Sequence, residues 1–266
     1  MMKVLRPTKL MAAAAVAFGM LSAPLAHASK DVTFAVQIAL ETLDPYNTNS
    51  TLNQAAGKAY YEGLFEFDKD LKIQKVLATD YSVSEDGLVY TFKLRPGVKF
   101  HDGTDFNAEA VKVNFDRPSN PDNRLSRYIQ FSVIEKTEVV DPMTVKITLK
   151  KPFSAFINAL AHPAAMMISP AALAKYGKEI GFHPVGTGPF KFAGYRPKVS
   201  ITLARNDDYW GGKPRLDQVT YRFIGEPGTQ VAELQAGRID IATLIPLGLI
   251  ETVKKSGNAD VISTGG

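Results

Sequence analysis

The 266-residue sequence predicts a mixed α/β (α+β) fold with mixed β-sheets, and three observations carry that prediction. Alternating stretches such as Leu88, Tyr90, Phe92 and Leu94 against Val89, Thr91 and Lys93 have the period of half-buried strands. Helical stretches lie among them, with apolar residues four apart, as in Val111 and Phe115. The two kinds of element follow one another without a strict strand–helix–strand beat, which argues against a purely parallel sheet.

In chain order, Val32 to Val36 reads as a strand. Ser50 or Thr51 N-caps a helix expected to run to about Tyr61. Tyr81 to Leu94 is a hairpin turning at Asp86-Gly87, where glycine takes a positive φ without steric cost. Pro96-Gly97 and Asp102-Gly103 punctuate the next short strand. Asn107 caps the helix that carries Val111 and Phe115. Val133 to Val140 and Thr144 to Leu149 form a second hairpin around Asp141-Pro142, with Val145, Ile147 and Leu149 on one face.

Pro152 is expected to start a short helix to about Leu160. Ser169-Pro170 starts another, which Gly177 stops. Gly186-Thr187-Gly188-Pro189 breaks the pattern before strands at Phe190 to Phe192 and Ser200 to Ala204. Val219 to Ile224 is a further strand, Thr229 to Ala236 a helix ended by Gly237, and Arg238 to Ile241 a last strand. No repeat and no low-complexity segment interrupts this order.

Residues 1–28 read as a secretory leader. Lys3, Arg6 and Lys9 form a basic start, Leu10 to Leu21 an apolar run, and Ala26-His27-Ala28 a cleavage site. The apolar run is short for a bilayer span, so an uncleaved anchor is the alternative reading. Three of the 31 basic residues lie in this leader and none of the 27 acids does, so the remaining chain carries only +1. That balance, with no basic block, argues against nucleic acid as a partner. The absence of cysteine excludes disulfides, thiol catalysis and zinc-thiolate sites. An apolar content of 45% suits a globular chain that buries a core without staples.

Catalytic patterns are lacking. No Gly-x-Ser-x-Gly elbow occurs, and the adjacent Asp207 and Asp208 point to opposite faces if extended, which suits solvation rather than proton sharing. Gly186-Thr187-Gly188 lacks the Lys-Ser/Thr ending and following helix of a phosphate loop, so it reads as a bend. His101, His162 and His183 have no metal-ligand spacing, and no cofactor is implied. An enzyme, a secreted hydrolase in particular, would need a nucleophile beside a base, and none is offered.

Six patterns in fixed order resemble the family-5 extracellular solute-binding proteins, which serve ABC importers for peptides, nickel and glutathione. They are Thr42-Leu43-Asp44-Pro45-Tyr46, Tyr61-Glu62-Gly63-Leu64, the hairpin running from Glu85 into His101-Asp102-Gly103, Asp105 to Val111, Pro184 to Phe190, and Asn206-Asp207-Asp208-Tyr209-Trp210. The stretch Pro152 to Pro163, with Ile168 to Leu173, most resembles the glutathione-binding branch.

The resemblance implies a periplasmic-binding-protein-like lobe with an inserted subdomain. Residues 29–55 plus 184–266 would form the first subdomain and 56–183 the inserted one. Family members continue into an opposing lobe, so the chain is expected to represent the N-terminal part, or else a truncated, inactive remnant. The implied function is that of a monomeric periplasmic binding component for an inner-membrane ABC permease, taking glutathione or another peptide-like ligand. A nickel-chelate or haem binding protein of the same family is the alternative.

Correspondence with nickel-binding relatives implies cleft positions for Arg124, Arg127 and Tyr128, where an Arg fork suits a ligand carboxylate. By the same correspondence Asn49 and Gln54 would offer amide hydrogen bonds, and His162 lies in a cleft-lining stretch. The alternatives are surface ion pairing for the arginines, capping or solvation for Asn49, and a structural role for His162. Tyr209 and Trp210 are expected to pack in the core rather than form a stacking platform.

If the leader is cleaved after Ala28, N-terminal sequencing of the exported protein starts at Ser29. An intact Met1 in a membrane fraction identifies an anchor instead.

Overall fold

The computed structural model describes residues 30–257 and 259–262. The predicted leader lies outside them. The strands are β1 (Asp31–Val36), β2 (Phe65–Phe67), β3 (Ile73–Lys75), β4 (Ala78–Val83), β5 (Val89–Leu94), β6 (Ile134–Asp141), β7 (Thr144–Leu149), β8 (Phe190–Arg196), β9 (Ser200–Arg205), β10 (Gln218–Phe223) and β11 (Ile241–Ala242). The α-helices are α1 (Thr51–Gly57), α2 (Ala108–Ser119), α3 (Tyr128–Phe131), α4 (Phe156–Ala161), α5 (Pro170–Tyr176), α6 (Pro227–Gln235) and α7 (Leu247–Ser256).

Two main sheets organise the chain. One is five-stranded and mixed, in the order β11-β1-β10-β9-β8, with β1 parallel to both β10 and β11 and the other pairings antiparallel. The other is antiparallel, in the order β4-β5-β7-β6. A small hairpin, β2 with β3, stands beside them.

Both predicted hairpins form with the expected faces inward. Tyr90, Phe92 and Leu94 of β5, and Val145, Ile147 and Leu149 of β7, are buried. Gly87 takes φ +70° at the first turn. Helix α2 starts where Asn107 accepts from the Ala110 N–H and packs on β6 and β7, burying Val111 and Phe115. The resulting core is one continuous cluster from Leu40 and Tyr46 through Phe92 and Phe115 to Leu203 and Val219.

Three of the boundaries that differ from expectation do so because a partner elsewhere in the chain intervenes. Helix α1 ends at Gly57, where the Ala59 and Tyr60 N–H groups turn to the carbonyls three residues back, and the Ala59 and Tyr60 carbonyls accept from Phe190 and Gly188 on the returning chain. Helix α4 starts only at Phe156, since the Phe153 carbonyl is held by the Tyr90 hydroxyl and the Phe156 N–H in a preceding turn. The last strand shrinks to Ile241–Ala242. The Arg238 carbonyl faces Arg222 rather than the sheet, while Asp240 bonds Thr33 through both its main chain and its carboxylate. Helix α7 was not foreseen. Its end is marked by Gly257 at φ +68°. Among the described residues, no helix is long and apolar enough to cross a membrane.

Candidate functional site

The first motif, Thr42 to Tyr46, anchors one wall of the site. Asp44 is 2% exposed, yet its carboxylate is fully used. Its Oδ1 accepts from the Tyr46 N–H at 3.0 Å, and its two oxygens take a fork from Arg117 at 3.2 and 2.6 Å. A carboxylate this deep is tolerable only when paired and hydrogen-bonded. The next residues are tied as firmly. Asn53 donates to the Thr42 carbonyl at 2.8 Å and the Thr48 hydroxyl at 3.2 Å, and Ser50 caps α1 by accepting from the Asn53 N–H.

Two of the predicted ligand residues, Gln54 and Arg127, lie at Thr48, with His162 next to Arg127. Arg127 donates from Nε to the Thr48 carbonyl at 2.8 Å, and its N–H bonds the Tyr46 carbonyl at 3.1 Å. Its terminal guanidinium nitrogens have no protein partner among the described residues. Burial lowers the Arg127 pKa, a direction that favours an anionic partner for its charge. Gln54 is 9% exposed and lines a recess of about 10 Å³ with Thr48, Tyr61, Pro163 and Met166. Its buried Nε2 makes no hydrogen bond.

His162 stands at the start of the adjoining Pro163–Ala165 turn, where its Nδ1 accepts from the Ala164 N–H at 3.1 Å. That bond puts the ring proton on Nε2. Burial first, and the Arg127 charge second, lower its pKa, so the ring is neutral. Near Thr48 the chain thus presents an unused guanidinium edge and an imidazole N–H, while the Gln54 amide nitrogen is enclosed without a partner. All are donors, and they suit a carboxylate or carbonyl.

The remaining candidates stand apart from this cluster. Asn49 is exposed and does not cap α1, because Ser50 does. Arg124 is exposed at φ +49°, closing the Pro121–Asn123 turn, and lines a separate groove with Asp122 and Lys178. Tyr128 opens α3, half-buried. Among the described residues, no group of three or more His, Asp or Glu side chains is placed to hold a metal ion.

A second concavity of about 240 Å³ shares His162 and is built round a residue that sequence reading passed over. Glu62 Oε1 accepts from the Tyr209 hydroxyl at 2.6 Å. Its Oε2 accepts from Trp210 Nε1 at 2.8 Å and from the Thr187 hydroxyl at 2.7 Å. Burial raises the Glu62 pKa, while the three donors pull it back down. Arg95 stacks over the Trp210 ring at 4.4 Å while bonding the Val76 carbonyl. Tyr209 and Trp210 are half-buried donors to a carboxylate; Trp210 packs against the core as expected, while Tyr209 is not part of the core cluster. The signal was present in two of the motifs, Tyr61 to Leu64 and Asn206 to Trp210. Nothing in their spacing said that they meet across 147 positions.

The Glu62 main chain continues the same function. Its carbonyl accepts from Met167, and Gly63 bridges to Met166, so the strip leading back to His162 is fixed. Replacing Glu62 with Leu strands three donors and is expected to cost on the order of 2–4 kcal/mol. Glu62→Gln retains an acceptor for Trp210 and Thr187 and is expected to cost under about 1 kcal/mol. Urea unfolding of the two variants checks this. Equal losses, or no loss in Glu62→Leu, contradict the role given to the carboxylate.

Comparison with known proteins agrees with this architecture. Residues 72–266 match the family described as bacterial extracellular solute-binding proteins, family 5 Middle. The chain is 52% identical over 253 residues to the glutathione-binding protein GsiB of Pectobacterium atrosepticum, covering 95% of this chain and 49% of that one. It is 53% identical over 240 residues to GsiB of Salmonella typhimurium, covering 90% and 47%. Among solved structures, NikZ of Campylobacter jejuni in complex with Ni(L-His) superposes with a TM-score of 0.78 at 31% identity, covering 85% of this chain and 45% of that one. DppA of Helicobacter pylori with the peptide STSA gives 0.77 at 30%, covering 85% and 48%. The chain spans about half the length of the curated relatives it matches. It belongs to the family-5 bacterial extracellular solute-binding proteins.

Proposed function

We propose that the chain is part of the periplasmic substrate-binding component of an ABC importer, that its ligand is peptide-like, and that the ligand is glutathione. The observation that carries this reading is the pair of side-chain donors near Thr48, with an unsatisfied amide enclosed beside them. Arg127 offers a free guanidinium edge, Gln54 a buried amide without a partner and His162 an Nε2–H. Glutathione brings two carboxylates and two peptide carbonyls, so it matches such donors with acceptors. The 52% identity to proteins named for glutathione binding supports the same ligand.

In this reading the protein works as a monomer, presents its ligand to an inner-membrane permease and catalyses nothing. Residues 29–55 with 184–266 form one subdomain and residues 56–183 an inserted one. Sheet membership supports that division, since the mixed sheet takes strands from both ends and the antiparallel sheet only from the middle. A nickel-chelate ligand is the second reading. It is favoured by the likeness to NikZ in complex with Ni(L-His).

Calorimetric titration with reduced and oxidised glutathione tests the proposal on the full-length protein. Binding at micromolar affinity or tighter is expected, about −8 kcal/mol. Arg127→Ala is expected to weaken it by roughly 1.5–3 kcal/mol, with Arg127→Lys recovering only part. Saturable uptake of a nickel chelate with no glutathione response selects the second reading.

A further inference from the structure

The chain returns from the antiparallel sheet to the mixed sheet through Val185 to Pro189, and this crossing is gripped from both sides. On one side stands His101. Its N–H donates to the Gly186 carbonyl at 2.8 Å, its Nδ1 accepts from the Gly186 N–H at 3.3 Å, and its Nε2 meets the Gly188 carbonyl at 2.9 Å. On the other side Thr187 reaches the Glu62 carboxylate. Below, the Gly188 N–H bonds the Tyr60 carbonyl. The crossing has no room to shift, since a Cβ on Gly186 would stand 2.1 Å from the Tyr60 oxygen and one on Gly188 2.7 Å from the Tyr60 carbonyl carbon.

The two ring contacts assign the tautomer. Nδ1 accepts, so the proton sits on Nε2 and is given to the Gly188 carbonyl. A second proton has only one place to go, on Nδ1, facing the Gly186 N–H. The Nδ1 contact with the Gly186 N–H therefore exists only with a neutral ring, while the Nε2–H bond to Gly188 survives protonation.

We propose that His101 and the Val185–Pro189 crossing form an acid-sensitive latch, which releases the crossing when the ring takes a second proton. Pro189 lines the concavity that Glu62, Tyr209, Trp210 and His162 share, and Thr187 supplies one of the three Glu62 bonds. Release of the latch therefore loosens the support behind His162.

The charged surroundings favour a latch that is closed at neutral pH. Burial is the largest influence on His101 and brings its pKa from 6.5 down to about 4. The bond to the Gly188 carbonyl works against burial by favouring the imidazolium, Lys191 on β8 disfavours it, and Asp102 on the same turn favours it. Asp102 is already engaged by Ser169 and Thr104, which limits its pull. The unfolded or released ring binds a proton at higher pH than the latched ring. Latch stability is thus full above about 6.5 and falls as the pH drops towards about 4. Glu62, across Thr187, acts with the opposite sign. Its pKa is raised by burial, so its protonation favours the folded state as pH falls. An acid-induced loosening of the crossing therefore belongs to His101 and not to Glu62.

Amide hydrogen exchange, corrected for intrinsic rates, tests the latch at pH 7 and pH 4.5 in the unmodified chain and in His101→Gln. Glutamine offers one acceptor and one donor at a similar separation and does not titrate in this range. In the unmodified chain, protection at Gly186 and Gly188 is expected to fall on the order of tenfold or more at the lower pH. In His101→Gln it is expected to stay constant relative to the core strands. PH-independent protection in the unmodified chain, or an equal loss in both proteins, overturns the proposal. An NMR titration of the unmodified chain gives a second reading that needs no variant. His101 is expected to titrate near 4, with the Gly186 amide moving in step. A midpoint near 6.5, or a Gly186 amide that ignores the titration, overturns it as well.

Discussion

The junction between the two sheets depends on one partly buried carboxylate being fully satisfied. Glu62 ties together three stretches far apart in sequence: its own, the crossing at Thr187, and the Tyr209-Trp210 turn. A carboxylate in a poorly solvated place is a liability unless donors surround it. Once surrounded, it becomes a strong constraint, because each donor loses its partner if any segment moves. The close contact of Gly186 and Gly188 with the Tyr60 backbone acts at the same place. Together they set how the mixed sheet stands relative to the antiparallel one.

The donor cluster near Thr48 inherits this order. The backbone of Glu62 and Gly63 holds Met166 and Met167, and the strip between there and His162 closes against the Pro45–Asn47 turn. That turn is itself pinned by the Asp44–Arg117 pair. Arg127 then hangs from the carbonyls of Tyr46 and Thr48. Side chains with free donors are thus carried on main chain that has little freedom. Such pre-organisation lowers the ordering cost that binding must meet.

The fold was largely legible in the sequence because its signals are local. Alternation in β5 and β7, the Asn107 cap and Gly87 each act within a few residues, and each appears as read. Misjudged boundaries are those where a distant partner wins. The carbonyls of Ala59 and Tyr60, just past α1, accept from residues near 190, and Arg222 draws Arg238 away from the last strand. The site shows the same split. Gln54 and Arg127 lie beside Thr48 with His162 next to Arg127, whereas Asn49 stands in solvent because Ser50 does the capping and Arg124 because it closes its own turn at positive φ. Glu62 and His101 went unread since their partners lie 85 or more positions away, beyond any periodicity or spacing rule.

The central claim is that a donor cluster near Thr48, carried on a rigid junction, receives a carboxylate-bearing ligand. Titrating the ¹⁵N-labelled chain with glutathione and following amide and side-chain shifts tests it most directly. The account predicts saturable shifts at Thr48, the Gln54 side-chain amide, Arg127 Nε–H and His162, with the β5 and β7 core unmoved. Shifts confined to the groove of Arg124 and Lys178, or saturable binding that leaves Gln54 and Arg127 unchanged, would contradict it.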